Sequence, residues 1–364
     1  MQALVLVGGE GTRLRPLTLT QPKPAITLVD RPFIRFMVDW LARHGVDDVI
    51  MACGFRAELL RERLGEGGGD GPRIRYLEEP EALGTAGPIR FAGDQLDDRF
   101  LALNGDVLTD LDLTALIRRH EERGALGTLA LYPVPDVTGY GLVRRREDGE
   151  ITEFLEKPDL GEVDTNEINA GAYVLERSVV DLIPPGRAVS IEREIFPRLV
   201  GHGLYGLRLA GYWMDIGTPE RYLQASWDIL ERRVDTDLGS RLDRDAPLVA
   251  DGARVDERAL LQAPALIAAG VEIEAGAQVG PRAVVGRDTM VSGDASITGS
   301  VLLSGCQVGR GAQVAGSIVG GGVEIGADAE IAAGAVIGEG ARVVPATRLE
   351  AGARIDPAEH HAMG

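Results

Sequence analysis

Residues 273–297 read IEAGAQVGPRAVVGRDTMVSGDASI, with aliphatic side chains at Ile273, Val279, Val285, Val291 and Ile297. The interval is six. It fits neither the 3.6-residue period of a helix nor the two-residue period of a strand. The same phase runs back through Ile267, Leu261 and Val255 to Val249, and forward to Leu303. It slips by one to Val308, continues to Val314, and slips again to Val319. Ile325, Ile331, Ile337, Val343, Leu349 and Ile355 complete the series. Small residues stand four positions later in many units (Ala277, Ala283, Ala295, Ala312, Ala329, Ala335, Ala341 and Ala353). This is the pattern of a solenoid of short parallel strands, a left-handed parallel β-helix built from hexapeptide repeats. The aliphatic residue points inward, and glycine or another small residue makes each corner. The solenoid is expected over 249–356, with a polar tail at 357–364.

Upstream the pattern changes. Ala3–Val7 is a continuous apolar run ending in glycines, as in a buried parallel strand. Phe33, Phe36, Met37, Trp40, Leu41 and His44 follow helical spacing, and Gly45 ends the run. Strands are expected at Val49–Ala52, Ile74–Leu77, Phe100–Asn104 and Thr128–Tyr132, with a helix from Thr114 to Arg123. Asp148-Gly149 lies between strand-like flanks and signals a hairpin. Pro219 stands where a helix of roughly 14 residues would begin. Alternation of this kind implies an α/β domain with a Rossmann-like mixed, mainly parallel sheet over residues 1–231. The charged segment 232–248 reads as a linker.

The chain has 364 residues and a net charge of −18, from 38 basic and 56 acidic residues. An acidic balance argues against general affinity for nucleic acid or anionic membranes. No apolar stretch approaches the roughly 20 residues of a membrane span. The first apolar run has no basic region before it, so it reads as a strand and not as a leader. Cys53 and Cys306 fit no metal spacing and are expected as reduced thiols in a cytoplasmic protein. Only two of the 38 basic residues are lysine, Lys23 and Lys157.

The segment LVGGEGTRLRPLTLTQPKP, Leu6–Pro24, carries the first chemical signal. Glycines let backbone N–H groups approach a polyphosphate that a Cβ would hold off. Arg13 offers a planar fork of donors to phosphate oxygens. The segment is not a Walker A loop, and Leu14 stands where a dinucleotide fingerprint needs its third glycine. Asp106 follows a strand-like run at its carboxyl end, the edge where open α/β sheets bind ligands.

GGEGTRLRPLT followed by PKP resembles the signature of the sugar-nucleotide pyrophosphorylases. The resemblance continues through Leu83–Pro88 (LGTAGP), Leu103–Val107 (LNGDV), Phe154–Pro158 (FLEKP), Asn169–Gly171 (NAG), Ser190–Pro197 (SIEREIFP) and Gly211–Pro219 (GYWMDIGTP). A hexapeptide-repeat domain at the C-terminus is also common in that family. Within it, the chain looks most like the mannose-1-phosphate guanylyltransferases. The resemblance implies a nucleotidyltransferase in which a sugar phosphate oxygen attacks the α-phosphorus of a nucleoside triphosphate and pyrophosphate leaves. It implies catalytic roles for Arg13, Lys23, Asp106 and Asp215. Leu6, Gly8, Gly9, Gly11, Thr12, Arg13 and Lys23 would bind the nucleotide, with Gly84 and Thr85 along the base and Asn104, Gly105 and Asp106 nearby. Gly141, Glu156, Lys157, Asn169 and Asp215 would take the sugar phosphate. Asp106 and Asp215 would hold Mg²⁺. Both lysines fall in motifs that the family assigns to phosphate.

GTP and mannose 1-phosphate are the expected substrates, giving GDP-mannose. Glucose-1-phosphate enzymes using UTP, dTTP or ATP, and heptose-1-phosphate guanylyltransferases, share the plan. A hexapeptide acyltransferase is disfavoured, since no histidine occurs between His202 and His360 to act as its base. A non-catalytic regulatory relative is disfavoured because Arg13, Lys23, Asp106, Lys157 and Asp215 all stand in the active pattern. His44, His120 and His202 lack ligand spacing. Arg144-Arg145-Arg146 reads as a solvated face and Trp213 as packing. A homo-oligomer is expected, because a β-helix offers flat faces for subunit packing.

Overall fold

The computed structural model describes residues 1–54, 56–69, 71–156, 164–357 and 360–361. The chain forms two compact units, one of residues 1–9 and 37–213, the other of residues 10–36 and 214–364.

The first unit holds a nine-stranded mixed sheet. In chain order its elements are β1 (Gln2–Leu6), α1 (Phe33–Arg43, of which Met37 onward lies in this unit), β2 (Asp48–Cys53), α2 (Ala57–Leu64), β3 (Arg73–Glu78), α3 (Gly87–Ala92), β4 (Arg99–Asn104), α4 (Leu113–Arg123), β5 (Gly127–Pro133), β6 (Gly141–Arg145), β7 (Ile151–Glu156), β8 (Glu167–Glu176) and β9 (Leu204–Arg208). The sheet runs β7-β6-β8-β4-β1-β2-β3, with β5 paired to β8 and to β9. Strands β3, β2, β1 and β4 are parallel, whereas β8 runs antiparallel to β4 and β5. Ala3, Leu4 and Val5 are fully buried, as expected of a strand covered on both faces. α4 starts at Asp112, whose carboxylate accepts from the Ala115 N–H at 3.0 Å, and ends at Gly124 in left-handed conformation.

The hairpin expected at Asp148-Gly149 joins β6 and β7, with Gly149 at φ +94° and Asp148 accepting from the Glu150 N–H. The arginine run beside it is a ladder of ion pairs. Arg144 meets Glu153 and Asp164, Arg145 meets Glu167, and Arg146 meets Glu150. Helix α2 and the long strand β8 were not foreseen. α2 is only eight residues long, although Ala57, Leu60 and Leu64 keep helical spacing, and β8 is buried along most of its length, which erases alternation.

The second unit contains the solenoid and α5 (Pro219–Leu230). Three parallel sheets of seven, seven and six strands form it, consistent with a left-handed β-helix. Each strand pairs with the one three hexads further on, as in Ile267↔Val285 and Ile273↔Val291. Ile267, Ile273, Val279, Val285, Val291 and Ile297 share one buried core with the small residues Ala277, Ala283 and Ala295.

The first slip of the repeat falls one hexad earlier than the sequence suggested. Leu302, not Leu303, pairs with Val285 and Val319 and belongs to the core. The shortened corners are Gly299-Ser300 and Gly316-Ser317, with the glycines at φ +59° and +53°. Ser300 Oγ lies 2.9 Å from Thr298 O and accepts from the Ser317 N–H at 3.1 Å, so a hydroxyl serves backbone groups at the tightened corner.

Leu266, Val284, Val301, Ile318 and Val336 alternate with the core residues and are nevertheless buried, so this sheet is covered on its outer face as well. Trp227 of α5 donates from Nε1 to Gly299 O at 3.2 Å on that side. The stretch expected as a linker is packed too: a single 3₁₀ turn at Asp237–Ser240 buries Leu238, and Val234 and Leu242 are also buried. His360 and His361, expected in a polar tail, pair in parallel with Arg342 and Val343 and extend a sheet of the solenoid. An open sheet end offers unpaired backbone groups to any following segment in register.

Candidate active site

In the first unit, the carboxyl edge of the parallel strands gathers most of the expected nucleotide residues. Leu6 is in register with Ala52 on one side and Asn104 on the other. Beyond Leu6 come Gly8 and Gly9; beyond Asn104 come Gly105 and Asp106. Gly105 donates its N–H to Leu6 O at 2.9 Å. A Cβ there would lie 2.4 Å from Val7 Cγ1 and 2.7 Å from Leu6 O, so only glycine lets β4 end this close to β1.

Glu79 stands at the same edge and was missed. A Cβ on Gly8 would lie 3.1 Å from its Oε1, while its Oε2 accepts from the Leu83 N–H at 3.3 Å. One carboxylate therefore joins the glycine turn to the Leu83–Pro88 loop. Burial pushes its pKa up, partly offset by the hydrogen bond from Leu83. Its position one residue past β3 was the available signal, the same that marked Asp106 after β4.

Gly84 sits at φ +77° with its α-carbon against the Val189 backbone. The Thr85 hydroxyl is committed to structure: it donates to Glu192 at 2.7 Å and accepts from the Ile191 N–H at 2.9 Å. Ser190 donates to the same carboxylate at 2.8 Å. The SIEREIFP segment is a wide π turn (Ile191–Ile195) running into a short α-helix (Phe196–Leu199), and it anchors the Thr85 loop.

Asn169 donates to the Tyr173 hydroxyl at 2.8 Å and accepts from the Gly171 N–H at 3.0 Å. A Cβ on Gly171 would lie 2.7 Å from Asn104 Nδ2, which brings the NAG segment to the end of β4. Trp213 Nε1 donates to Ala170 O at 2.8 Å, and its ring stacks on Tyr132 and meets Tyr140 edge-on. Its packing therefore fixes the NAG backbone. Gly141 begins β6, and Glu156 ends β7. Lys157 lies outside the described residues.

The second unit holds Gly11, Thr12, Arg13, Lys23 and Asp215. Gly11 is left-handed at φ +63°, and Thr18 Oγ1 donates to its carbonyl at 2.9 Å. Thr12 opens a single 3₁₀ turn through Leu14. Lys23 begins another such turn and is 9% exposed. Gly217 separates two site residues: a Cβ there would lie 2.7 Å from Arg13 Nη2 and 3.1 Å from Asp215 Oδ2. Arg221 Nη1 pairs with Asp215 Oδ1. Neither Gly217 nor Arg221 was singled out from sequence, since no local spacing reports what a guanidinium rests on.

Among the described residues, no three or more His, Cys, Asp or Glu side chains gather as a cage for a metal. His120, fully buried, hydrogen-bonds Thr128 and Glu176 and serves the core. Cys53 and Cys306 are buried free thiols, each pushed up to about 12 by desolvation. Among the described residues, no helix is long and apolar enough to cross a membrane.

Comparison with known proteins agrees with this architecture. Residues 2–232 match the model for nucleotidyl transferases, and residues 261–357 match that of the GMPPB C-terminal domain. Mannose-1-phosphate guanylyltransferase of Mycobacterium tuberculosis is 41% identical over 72% of this chain and 73% of that protein. Mannose-1-phosphate guanyltransferase of Candida albicans is 42% identical over 62% of this chain and 64% of its own length. UTP–glucose-1-phosphate uridylyltransferase of Synechocystis is 36% identical over 64% of each. The crystal structure of HddC from Yersinia pseudotuberculosis superposes with a TM-score of 0.54 at 27% identity, covering 62% of this chain and 97% of that one. The glycine turn, the edge carboxylates and these matches together make it plain that the chain belongs to the nucleotidyl transferase family.

Proposed function

We propose that this nucleotidyltransferase transfers a guanylyl group from GTP to mannose 1-phosphate, giving GDP-mannose and pyrophosphate. The observation that carries the reading is the 41% identity with a mannose-1-phosphate guanylyltransferase over 72% of the chain. The carboxyl-edge placement of Gly8, Asn104, Gly105 and Asp106 supports it.

The nucleophile, a sugar phosphate oxygen, is already anionic at neutral pH, so the reaction needs no general base. Its barrier is the repulsion between two anions, which positioning and fixed positive charge relieve. Gly8, Gly9 and Gly11 cradle the triphosphate, and Leu6 and Thr12 also bind the nucleotide. Arg13 takes the phosphates that become pyrophosphate, and Lys23 stabilises charge near the α-phosphate. Gly84 and the Thr85 backbone line the base. Gly141, Glu156, Lys157 and Asn169 take the sugar phosphate. Asp106 and Asp215 are the carboxylates assigned to Mg²⁺. When bound, the ion neutralises charge on the phosphates. Asn169 keeps one donor and one acceptor beyond its two structural bonds, enough to meet a sugar hydroxyl.

The catalytic segment is assigned to residues 1–231 and the solenoid to 249–356, joined by 232–248. The matched models, which end at 232 and begin at 261, support the division. Two buried free thiols suit the cytoplasm, and the flat solenoid faces suit a homo-oligomer.

A panel of GTP, ATP, UTP and dTTP against mannose, glucose and heptose 1-phosphates, read by pyrophosphate release, tests the proposal. The GTP–mannose pair should give the highest kcat/KM. A higher value for any other pair overturns the substrate assignment.

A further inference from the structure

Helix α5 links two features of the second unit. At its start, the Thr218 hydroxyl accepts from the Arg221 N–H at 3.4 Å, and the Arg221 side chain pairs with Asp215. Arg221 takes Oδ1, while Oδ2 lies beside Gly217, across from the Arg13 guanidinium. At the other end, Trp227 donates to Gly299 O of the solenoid, and the Arg282 guanidinium lies 5.4 Å from the Trp227 ring. Arg282 Nε also reaches Glu231 Oε1 at 2.5 Å, just past the last turn of the helix. A third contact, Glu220 to Arg354 at 3.8 Å, ties the first turn to the last strands of the solenoid. The helix body is held as well: Tyr222 is buried and donates its hydroxyl to Thr27 O.

We propose that Arg221 is a positioning residue for Asp215, and that the solenoid fixes it there by bracing α5. The inference rests on the role assigned to Asp215 above. A carboxylate that is to meet a cation and phosphate groups loses affinity with every orientation it samples unproductively. A guanidinium on Oδ1 restricts the carboxylate to one orientation. A helix is stiff over the roughly 9 Å between Arg221 and Trp227, so an anchor at one end limits movement at the other. On this reading the C-terminal solenoid contributes to the reaction without touching substrate.

The experiment uses the full chain with Arg221→Ala, Arg221→Lys, the double variant Trp227→Phe/Arg282→Ala, and Asp215→Asn as control. Two quantities are read: the Mg²⁺ concentration for half-maximal pyrophosphate release, separately from kcat at saturating Mg²⁺, and hydrogen–deuterium exchange of residues 214–221 in the ligand-free protein. Arg221→Ala should raise the half-saturating Mg²⁺ by about 10-fold, the scale for an outer-shell partner of a metal ligand. Arg221→Lys should recover part of it. The double variant, which leaves every site residue in place, should shift it in the same direction and speed exchange at 214–221. If Asp215→Asn shifts the Mg²⁺ dependence while Arg221→Ala, or the double variant if Arg221→Ala does not fold, keeps the wild-type value, the inference falls and the function stands. If Asp215→Asn itself keeps the wild-type dependence, the assignment of Asp215 falls and takes the inference with it.

Discussion

The stem of Lys23 lies against Gly11: a Cβ built on Gly11 would stand 3.1 Å from the Lys23 Cβ and 3.0 Å from Thr18 Cγ2. The glycine turn and the lysine are therefore one packed object. Removing the whole side chain would disturb the turn as well as the charge. Lys23→Met keeps the stem and deletes the ammonium. It should lower kcat by about 10²-fold or more, as expected for one group stabilising transition-state charge. Its melting temperature should stay close to wild type. Near-normal turnover in this variant would remove Lys23 from the chemistry.

Glu79 → Gln tests the link between the glycine turn and the Leu83 loop. Burial raises the Glu79 pKa, so the folded state holds this proton more tightly than the unfolded state does. Stability from this group is present at low pH and is lost as pH rises through the folded value. Glutamine keeps the acceptor for Leu83 without the buried charge. The variant should match wild type in melting temperature near pH 4 and equal or exceed it at pH 8. A variant less stable than wild type at pH 8 would show that the charge itself holds the loop.

His120 supplies a second pH dependence of opposite sign. It is fully buried, and desolvation lowers its pKa against the opposing pull of Glu176. The unfolded chain takes up this proton below its ordinary value of 6.5, before the folded protein does. Stability is therefore present above that value and is lost as pH falls through it. His120→Gln should lower the melting temperature at pH 7.5 yet flatten its decline between pH 7 and 5. Parallel curves for the two proteins would assign the acid sensitivity elsewhere.

Ser300→Ala probes the shortened corner of the solenoid. It leaves the buried N–H of Ser317 without its 3.1 Å acceptor. An unsatisfied buried donor costs about 1–3 kcal/mol. Urea denaturation should show a loss in that range with the m-value unchanged. A neutral result would mean that water or a shifted backbone fills the place of the hydroxyl.

The solenoid was legible in sequence because each hexad meets a copy of itself, so register is a local repeat. The strand Gln2–Leu6 and helix Phe33–Arg43 were legible because burial on one or both faces leaves a local periodicity. The glycine turn and the two lysines stood out through composition and motif. The sequence pattern put Leu303 in the core at the first slip, whereas the tightened corner at Gly299-Ser300 brings in Leu302. Thr85 and Glu192 are 107 positions apart, and the pairing of Arg221 with Asp215 depends on how Thr218 starts a helix. Spacing along a chain encodes neighbours within a turn or a strand. Contacts that orient charges are made by distant segments and by side-chain rotamers, which the packed tertiary structure selects.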